Sequence, residues 1–245
     1  MTTTTIETPV GPAQPMVLNM GPQHPSTHGV LRVILELDGE KILSAKSVIG
    51  YLHTGIEKSC ESKTYSQCIT LTDRIDYLAP LSNNLAFCLA AEKLLGIEIP
   101  KRAQYIRVLL TELTRISSHL VWLGTHAIDL GAMSVFLYSF REREEIMKIY
   151  EYVSGQRMMT SYFRIGGLAL EPPPGWLERV ERVMNAMPGH IDEYEDLLTK
   201  NRIWLARTKG VGIMSAADAI AMGASGPLLR ASGVPFDIRR VFPYS

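Results

Sequence analysis

From about residue 55 onward, apolar residues recur every three or four positions, and this spacing limits the chain more than any other feature. The longest stripe runs through Ile106, Leu109, Leu113, Ile116, Leu120 and Leu123, with Pro100 placed to open the helix and Gly131 to end or bend it. A second helix is predicted over 136–153, stopped by Gly155. The three prolines at 172–174 then divide it from a shorter pair, 176–187 and 191–204. Ser215 followed by Asp218 is a capping box for a short helix that Gly223 closes. The last residues, PFDIRRVFPYS, carry no evident terminal element, and the chain is expected to be C-terminally truncated.

Before residue 55 the period is two. Leu31, Val33, Leu35 and Leu37 alternate with Val30, Arg32, Ile34 and Glu36, and Asp38-Gly39 leads as a hairpin turn into a run over 41–49. With an opening strand over 16–20 this makes a small antiparallel sheet. The fold class is therefore α+β: a Thr- and Pro-rich tail over 1–15, a sheet over 16–54 and a mainly helical bundle over 55–245.

Composition removes several classes of function. Twenty-five Lys and Arg balance 25 Asp and Glu among 245 residues, so the basic footprint of a nucleic-acid binder is missing. Hydrophobic residues at 46% and charged ones at 20% describe an ordinary folded core rather than a disordered chain. Cys60, Cys68 and Cys88 form neither a CxxC pair nor an even disulfide set. No window approaches the roughly 18 apolar residues of a spanning helix, which leaves attachment to a membrane through a partner open.

Four constellations could carry chemistry. His24 and His28 lie on the loop GPQHPSTHG, where two imidazoles can serve proton transfer or metal binding, or can simply be solvated in a turn. Thr72-Asp73-Arg74-Ile75-Asp76-Tyr77 would, on a helix, place Asp73 and Tyr77 on one face; a solvated helix end with local ion pairs is the competing reading. His119, His126 and Asp129 sit on the long helix without a further ligand at metal-binding spacing, so His119 is expected to pack between helices and Asp129 to project from the helix end. Gly210-Val211-Gly212 lacks the third glycine and the strand–helix setting of a dinucleotide fingerprint, and nucleotide binding is rejected.

Several longer motifs occur together: GPQHPSTHG at 21–29, YLHTGIEK at 51–58, TDRIDYLAP at 72–80, HAIDLGAMSVFLYSFREREEI at 126–146, YFRIGG at 162–167 and NRIW at 201–204. In this order they resemble the D-type subunit of bacterial respiratory complex I, the proton-translocating NADH-quinone oxidoreductase; its mitochondrial counterpart is the 49 kDa subunit. The resemblance covers everything after the tail and corresponds to the N-terminal part of family members. It implies that His28 and Tyr77 hydrogen-bond a quinone and give it protons, that Asp129 orients His28, and that Arg74 lies near the terminal iron–sulfur cluster. That cluster would belong to the neighbouring B-type subunit, because three scattered cysteines cannot supply four thiolates. The C-type and I-type subunits and the membrane-embedded H-type subunit are the other implied partners. No metal or flavin of the chain's own is implied, and the place is the inner membrane, peripheral, on the cytoplasmic side.

The fold is also similar to the large subunit of nickel–iron hydrogenases. The positions that carry its nickel-binding CxxC read Asp76 and Ala79 here, so hydrogenase chemistry is not expected. Many relatives carry a His shortly after the two glycines of YFRIGG. Here the stretch reads Leu168-Ala169-Leu170-Glu171, and a redox-linked titration at that point is not carried over. A non-catalytic assembly or scaffold relative is the alternative reading.

Overall fold

The computed structural model describes residues 15–244, so the tail expected over 1–15 lies, but for Pro15, outside the described residues. The chain divides into two units, 1–58 and 59–245.

The first unit holds three antiparallel strands in the order β1-β2-β3, with β1 at Met16–Met20, β2 at Arg32–Asp38 and β3 at Lys41–Val48. The two loop residues between β2 and β3 are Gly39 and Glu40, one place later than Asp38-Gly39, because Asp38 is still paired with Lys41. Gly39 takes the positive φ of +60° that a tight hairpin needs at this point. The pairing shifts register between Glu36 and Leu37. Val30 and Leu31 are not in the strand; both amides donate to the Thr27 carbonyl and close the preceding loop.

The second unit is mainly helical. Helix α1 at Ile56–Glu61 spans the division, and α2 follows at Tyr65–Thr72. A reciprocal capping box opens α2: the Gln67 amide donates to Thr64 Oγ1 and the Thr64 amide to Gln67 Oε1. Four longer helices carry the core: α3 at Pro80–Leu95, α4 at Lys101–Asp129, α5 at Met133–Ser154 and α6 at Trp176–Leu198. Their apolar stripes meet in one cluster that includes Ile69, Leu85, Leu110, Ile146, Phe163 and Trp176. Short helices α7 (Arg202–Thr208), α8 (Ala216–Ala221), α9 (Gly226–Ala231) and α10 (Ile238–Val241) complete the unit.

Two expectations are corrected here. The helices predicted over 176–187 and 191–204 are instead one continuous α6 and a separate α7. Pro188 stands inside α6. A proline there forfeits one helical hydrogen bond, but buried Val180, Met187, Tyr194 and Leu198 lie on both sides of it, so packing holds the helix through the break. The C-terminal residues are also not loose. Asp237 caps α10 by accepting from the Arg239 amide, and Tyr244 packs beside the core while bonding Glu112 and Arg115.

A hairpin with no counterpart in the sequence reading, β4 at Phe163–Arg164 and β5 at Gly167–Leu168, is pinned by a buried ion pair. Arg107 of α4, 0% exposed, bonds the Glu92 carboxylate twice, at 3.0 and 2.7 Å. It also donates to the carbonyls of Arg164 and Gly167. Glu92 in turn accepts the Gly166 amide at 2.8 Å. Every charge in this pair has a hydrogen-bonded partner, as burial of an ion pair demands.

Candidate functional site

In the first unit, the loop that carries His28 is closed from within. Buried Thr27 donates its hydroxyl to the carbonyls of Pro22 and His24, and the Ser26 amide donates to His24 Nδ1 at 3.1 Å. His24 therefore acts as a cap and carries its proton, when neutral, on Nε2. His28 follows at φ +53°, a left-handed conformation uncommon for a residue with a Cβ, with its amide bonded to the Pro25 carbonyl. Both imidazoles are exposed. The two histidines thus divide their tasks: one builds the loop and the other is presented by it.

In the second unit, α2 ends at Thr72, and residues 73–79 form turns rather than a helix. The shared helical face of Asp73 and Tyr77 is therefore not formed. Its cause is Asp73, which is 0% exposed and not a solvated helix end. One carboxylate oxygen accepts the Ser161 amide at 2.9 Å and the Ser161 hydroxyl at 2.5 Å; the other accepts Asn84 Nδ2 at 2.6 Å. Asn84 Oδ1 accepts the Thr72 hydroxyl at 2.7 Å, closing the network. Burial pushes the Asp73 carboxyl up from its ordinary value, while the bonds from Ser161 and Asn84 and the charge of Arg74 pull the other way. Ser161 is held at φ +42° by its two hydrogen bonds to Asp73.

Anchored at that root, the turn displays Arg74 and Tyr77. Arg74 is exposed and donates to the Thr70 carbonyl at 2.5 Å. Asp76 fixes the far side of the turn by accepting the Leu78 amide, and its carbonyl accepts Asn83 Nδ2. Tyr77 is 48% exposed, so a rigid turn offers a phenol to its surroundings.

Asp129 is the last residue of α4 and is exposed. A carboxylate at a helix C-terminus opposes the helix dipole. Gly131, at φ +90°, turns the chain out of the helix, and Arg207 donates to the Leu130 carbonyl. His126 stacks on Trp122 at 5.8 Å and meets Trp204 edge-on at 5.9 Å, which ties the HAID and NRIW motifs together. His119, expected between helices, is exposed instead. It lines a cavity of about 410 Å³ with Asp76, Ser82, Arg115 and Tyr244. Burial of part of its ring, then Arg115, Arg239 and Arg230, hold its pKa below the usual imidazole value.

Cys68 and Cys88 are buried thiols, and Cys60 is partly buried. Burial pushes the Cys88 thiol up to about 11, away from the thiolate that a soft metal needs. Among the described residues no helix is long and apolar enough to cross a membrane.

Residues 129–245 match the family described as respiratory-chain NADH dehydrogenase, 49 kDa subunit. The chain is 68% identical over 230 residues to a D-type subunit of NADH-quinone oxidoreductase from Solibacter usitatus, covering 94% of this chain and 56% of that protein. It is 66% identical over 235 residues to a second such subunit, from Koribacter versatilis, covering 96% and 59%. A third relative, the D-type subunit of Citrifermentans bemidjiense, is 62% identical over 230 residues, covering 94% and 59%. The chain thus spans a little under three fifths of the length of these relatives. The class of protein to which this chain is similar is therefore the subunits named for respiratory NADH dehydrogenase or NADH-quinone oxidoreductase. More narrowly, the similarity is to the 49 kDa, or D-type, subunit, over residues 129–245 for the family and over 94–96% of this chain for the relatives.

Proposed function

We propose that this chain forms quinone-binding surface in a proton-translocating NADH-quinone oxidoreductase, where quinone is reduced to quinol. The observation that carries the reading is the Tyr77 turn, a half-exposed phenol on a stem locked by Asp73, Asn84 and Ser161. A phenol held this way can donate a hydrogen bond to a quinone carbonyl without an ordering cost at the moment of binding.

Reduction adds two electrons to the quinone and one proton to each of its two oxygens. Tyr77 and His28 are the proposed donors, one phenolic and one imidazole, and Asp129 is the carboxylate that orients His28 and stabilises its charged form. An iron–sulfur cluster held by the B-type subunit would supply the electrons, and Arg74 is proposed to lie near it. A cation there favours the more negative, reduced state of such a centre. The donor set of this chain fits no cluster of its own, since one partly buried and two buried thiols are not four thiolates. The B-type, C-type and I-type subunits and the membrane-embedded H-type subunit are the proposed partners, and they hold the chain peripherally on the cytoplasmic side of the inner membrane.

The test is NADH-dependent quinone reduction by the complex that a tag on this chain recovers from gently solubilised membranes. Tyr77→Phe removes only the phenolic hydroxyl, and turnover is expected to fall by about a hundredfold, with complex assembly unchanged. Unchanged turnover across several quinones would remove Tyr77 from this role. Asp129→Asn is expected to lower turnover strongly beside an intact His28 and little in a His28→Ala background; equal effects in both would uncouple the two residues.

A further inference from the structure

The buried face of α5 runs through Val135, Ser139, Glu142, Ile146, Ile149 and Val153. Away from it, Met133, Phe136, Leu137 and Phe140 recur at three- and four-residue steps, so they share a second face of the same helix. Met133 is 60% and Leu137 62% exposed. The rings of Phe136 and Phe140 lie 4.4 Å apart and are only partly covered. An apolar stripe turned away from the core fits a helix that packs against something on both sides.

One turn further on, the stripe ends in a cation. The Arg143 guanidinium lies over the Phe140 ring, 5.6 Å from its centre. The other arginines of this stretch are matched, Arg141 by Glu142 and Glu193 and Arg157 by Glu144 and Glu151. Arg143 is not. Among the described residues its guanidinium makes no hydrogen bond and no ion pair, although the residue is partly buried and its Nε is shut off from solvent. Glu144, the carboxylate that acts on it, is taken by Arg157. Burial holds the pKa of Arg143 below the ordinary guanidinium value, yet a guanidinium keeps its proton in a protein. A charge half out of water with its donors unmet is a cost that an acceptor from outside would remove.

The surroundings decide which acceptor fits. A phosphate or an anionic lipid surface would bring its negative charge against Glu144, Glu145 and Glu151. A single carboxylate brings less, and it matches the planar fork of a guanidinium with two parallel bonds. An arginine set among aromatic and aliphatic side chains is also the composition found at the centre of protein interfaces.

We propose that the outer face of α5 docks a protein partner through Met133, Leu137 and Phe140, and that an Asp or Glu of this partner takes the Arg143 guanidinium. From Met133 to Arg143 the face is about 15 Å long at 1.5 Å per residue, enough for the core of such a contact. The inference rests on the reading of this chain as part of an assembly, but not on Tyr77, His28 or Asp129.

The experiment uses the complex that a tag on the chain recovers from gently solubilised membranes. Arg143→Lys keeps the cation and adds an amine, which a water-soluble carbodiimide joins to a carboxylate in direct contact. The expected product is an amide between position 143 and an Asp or Glu of one other polypeptide, found by mass spectrometry of the digested complex and missing from the wild type. Arg143→Met should leave the melting temperature of the full chain unchanged or higher, because no internal bond is lost. It should weaken retention of the coupled polypeptide by at least about tenfold, and Leu137→Ala should weaken it in the same direction. No coupled product, as with a phosphate or lipid on Arg143, would overturn the proposal. So would coupling only to carboxylates of this chain, unchanged retention in Arg143→Met, or a melting temperature lowered by that substitution. A complex that reduces quinone and yields no coupled product would sink this inference and leave the quinone reading standing.

Discussion

Asp73 bonds three donors with no water around it, and this makes it the residue on which the Tyr77 turn depends. Replacing it with Asn turns one accepting oxygen into a donor that faces Ser161 or Asn84. Asp73→Asn is expected to cost about 2 kcal/mol in chemical denaturation. The sign of its pH dependence follows from burial, which raises the folded-state pKa above the ordinary 3.8. The folded state then binds more protons than the unfolded one, so the contribution of Asp73 is greatest below 3.8 and declines as pH rises through the raised value. The gap in stability between wild type and Asp73→Asn should therefore narrow from pH 4 towards neutrality, as thermal melts at successive pH values can check. A gap that widens over that range would contradict the assignment. None of this is legible locally, because Asn84 and Ser161 stand 11 and 88 residues away. Short-range spacing makes 72–77 a helical segment, and only the distant partners show why the helix stops at Thr72. His119 differs from its expectation for a similar reason: its stripe neighbours are buried, but the ring itself opens into a cavity edged by Tyr244 from the far end of the chain.

Helices α4 and α5 pack tightly at a point where α4 has no side chain. A Cβ at Gly124 would collide with Ser139 Oγ and reach Phe136 at 3.4 Å. Gly124→Ala is therefore expected to destabilise by about 1–3 kcal/mol, although alanine is the better helix former by about 1 kcal/mol. Gly189 in α6 has nothing within 4 Å of the corresponding position, so Gly189→Ala should raise stability by up to about 1 kcal/mol. Thermal melts of the two variants should move in opposite directions; shifts of the same sign would mean that contact between the helices does not decide the outcome. At this scale the sequence is most informative for long elements. The three- and four-residue spacing reveals α4 and α5, and Gly131 and Gly155 mark their ends. A proline is the weaker marker when apolar residues continue on both sides, as at Pro188. The β4–β5 hairpin has strands of two residues, too short for any period to register.

At the scale of the molecule, the three-stranded sheet of the first unit keeps little of its apolar surface covered. Met16 and Val17 on β1 and Ile42 and Leu43 on β3 are all at least half exposed. Three strands with so little covered are marginal as an independent fold. The motifs spread along the chain carry the resemblance; the small sheet and the balanced charge would serve many other proteins equally well. The long-range network within the second unit has a different consequence, one of kinetics. The Gly166 amide lies in the two-residue loop between β4 and β5, where backbone protons normally trade with water within seconds. It is instead bonded to Glu92, which is itself locked to Arg107 of α4. Releasing that proton requires taking apart the contact of α3 with α4, and with it the core. In deuterated buffer Gly166 should exchange as slowly as amides in the middle of α4, and Glu92→Gln should speed it far more than it speeds those helical amides. A proton in a tight loop would then time the opening of the whole helical unit.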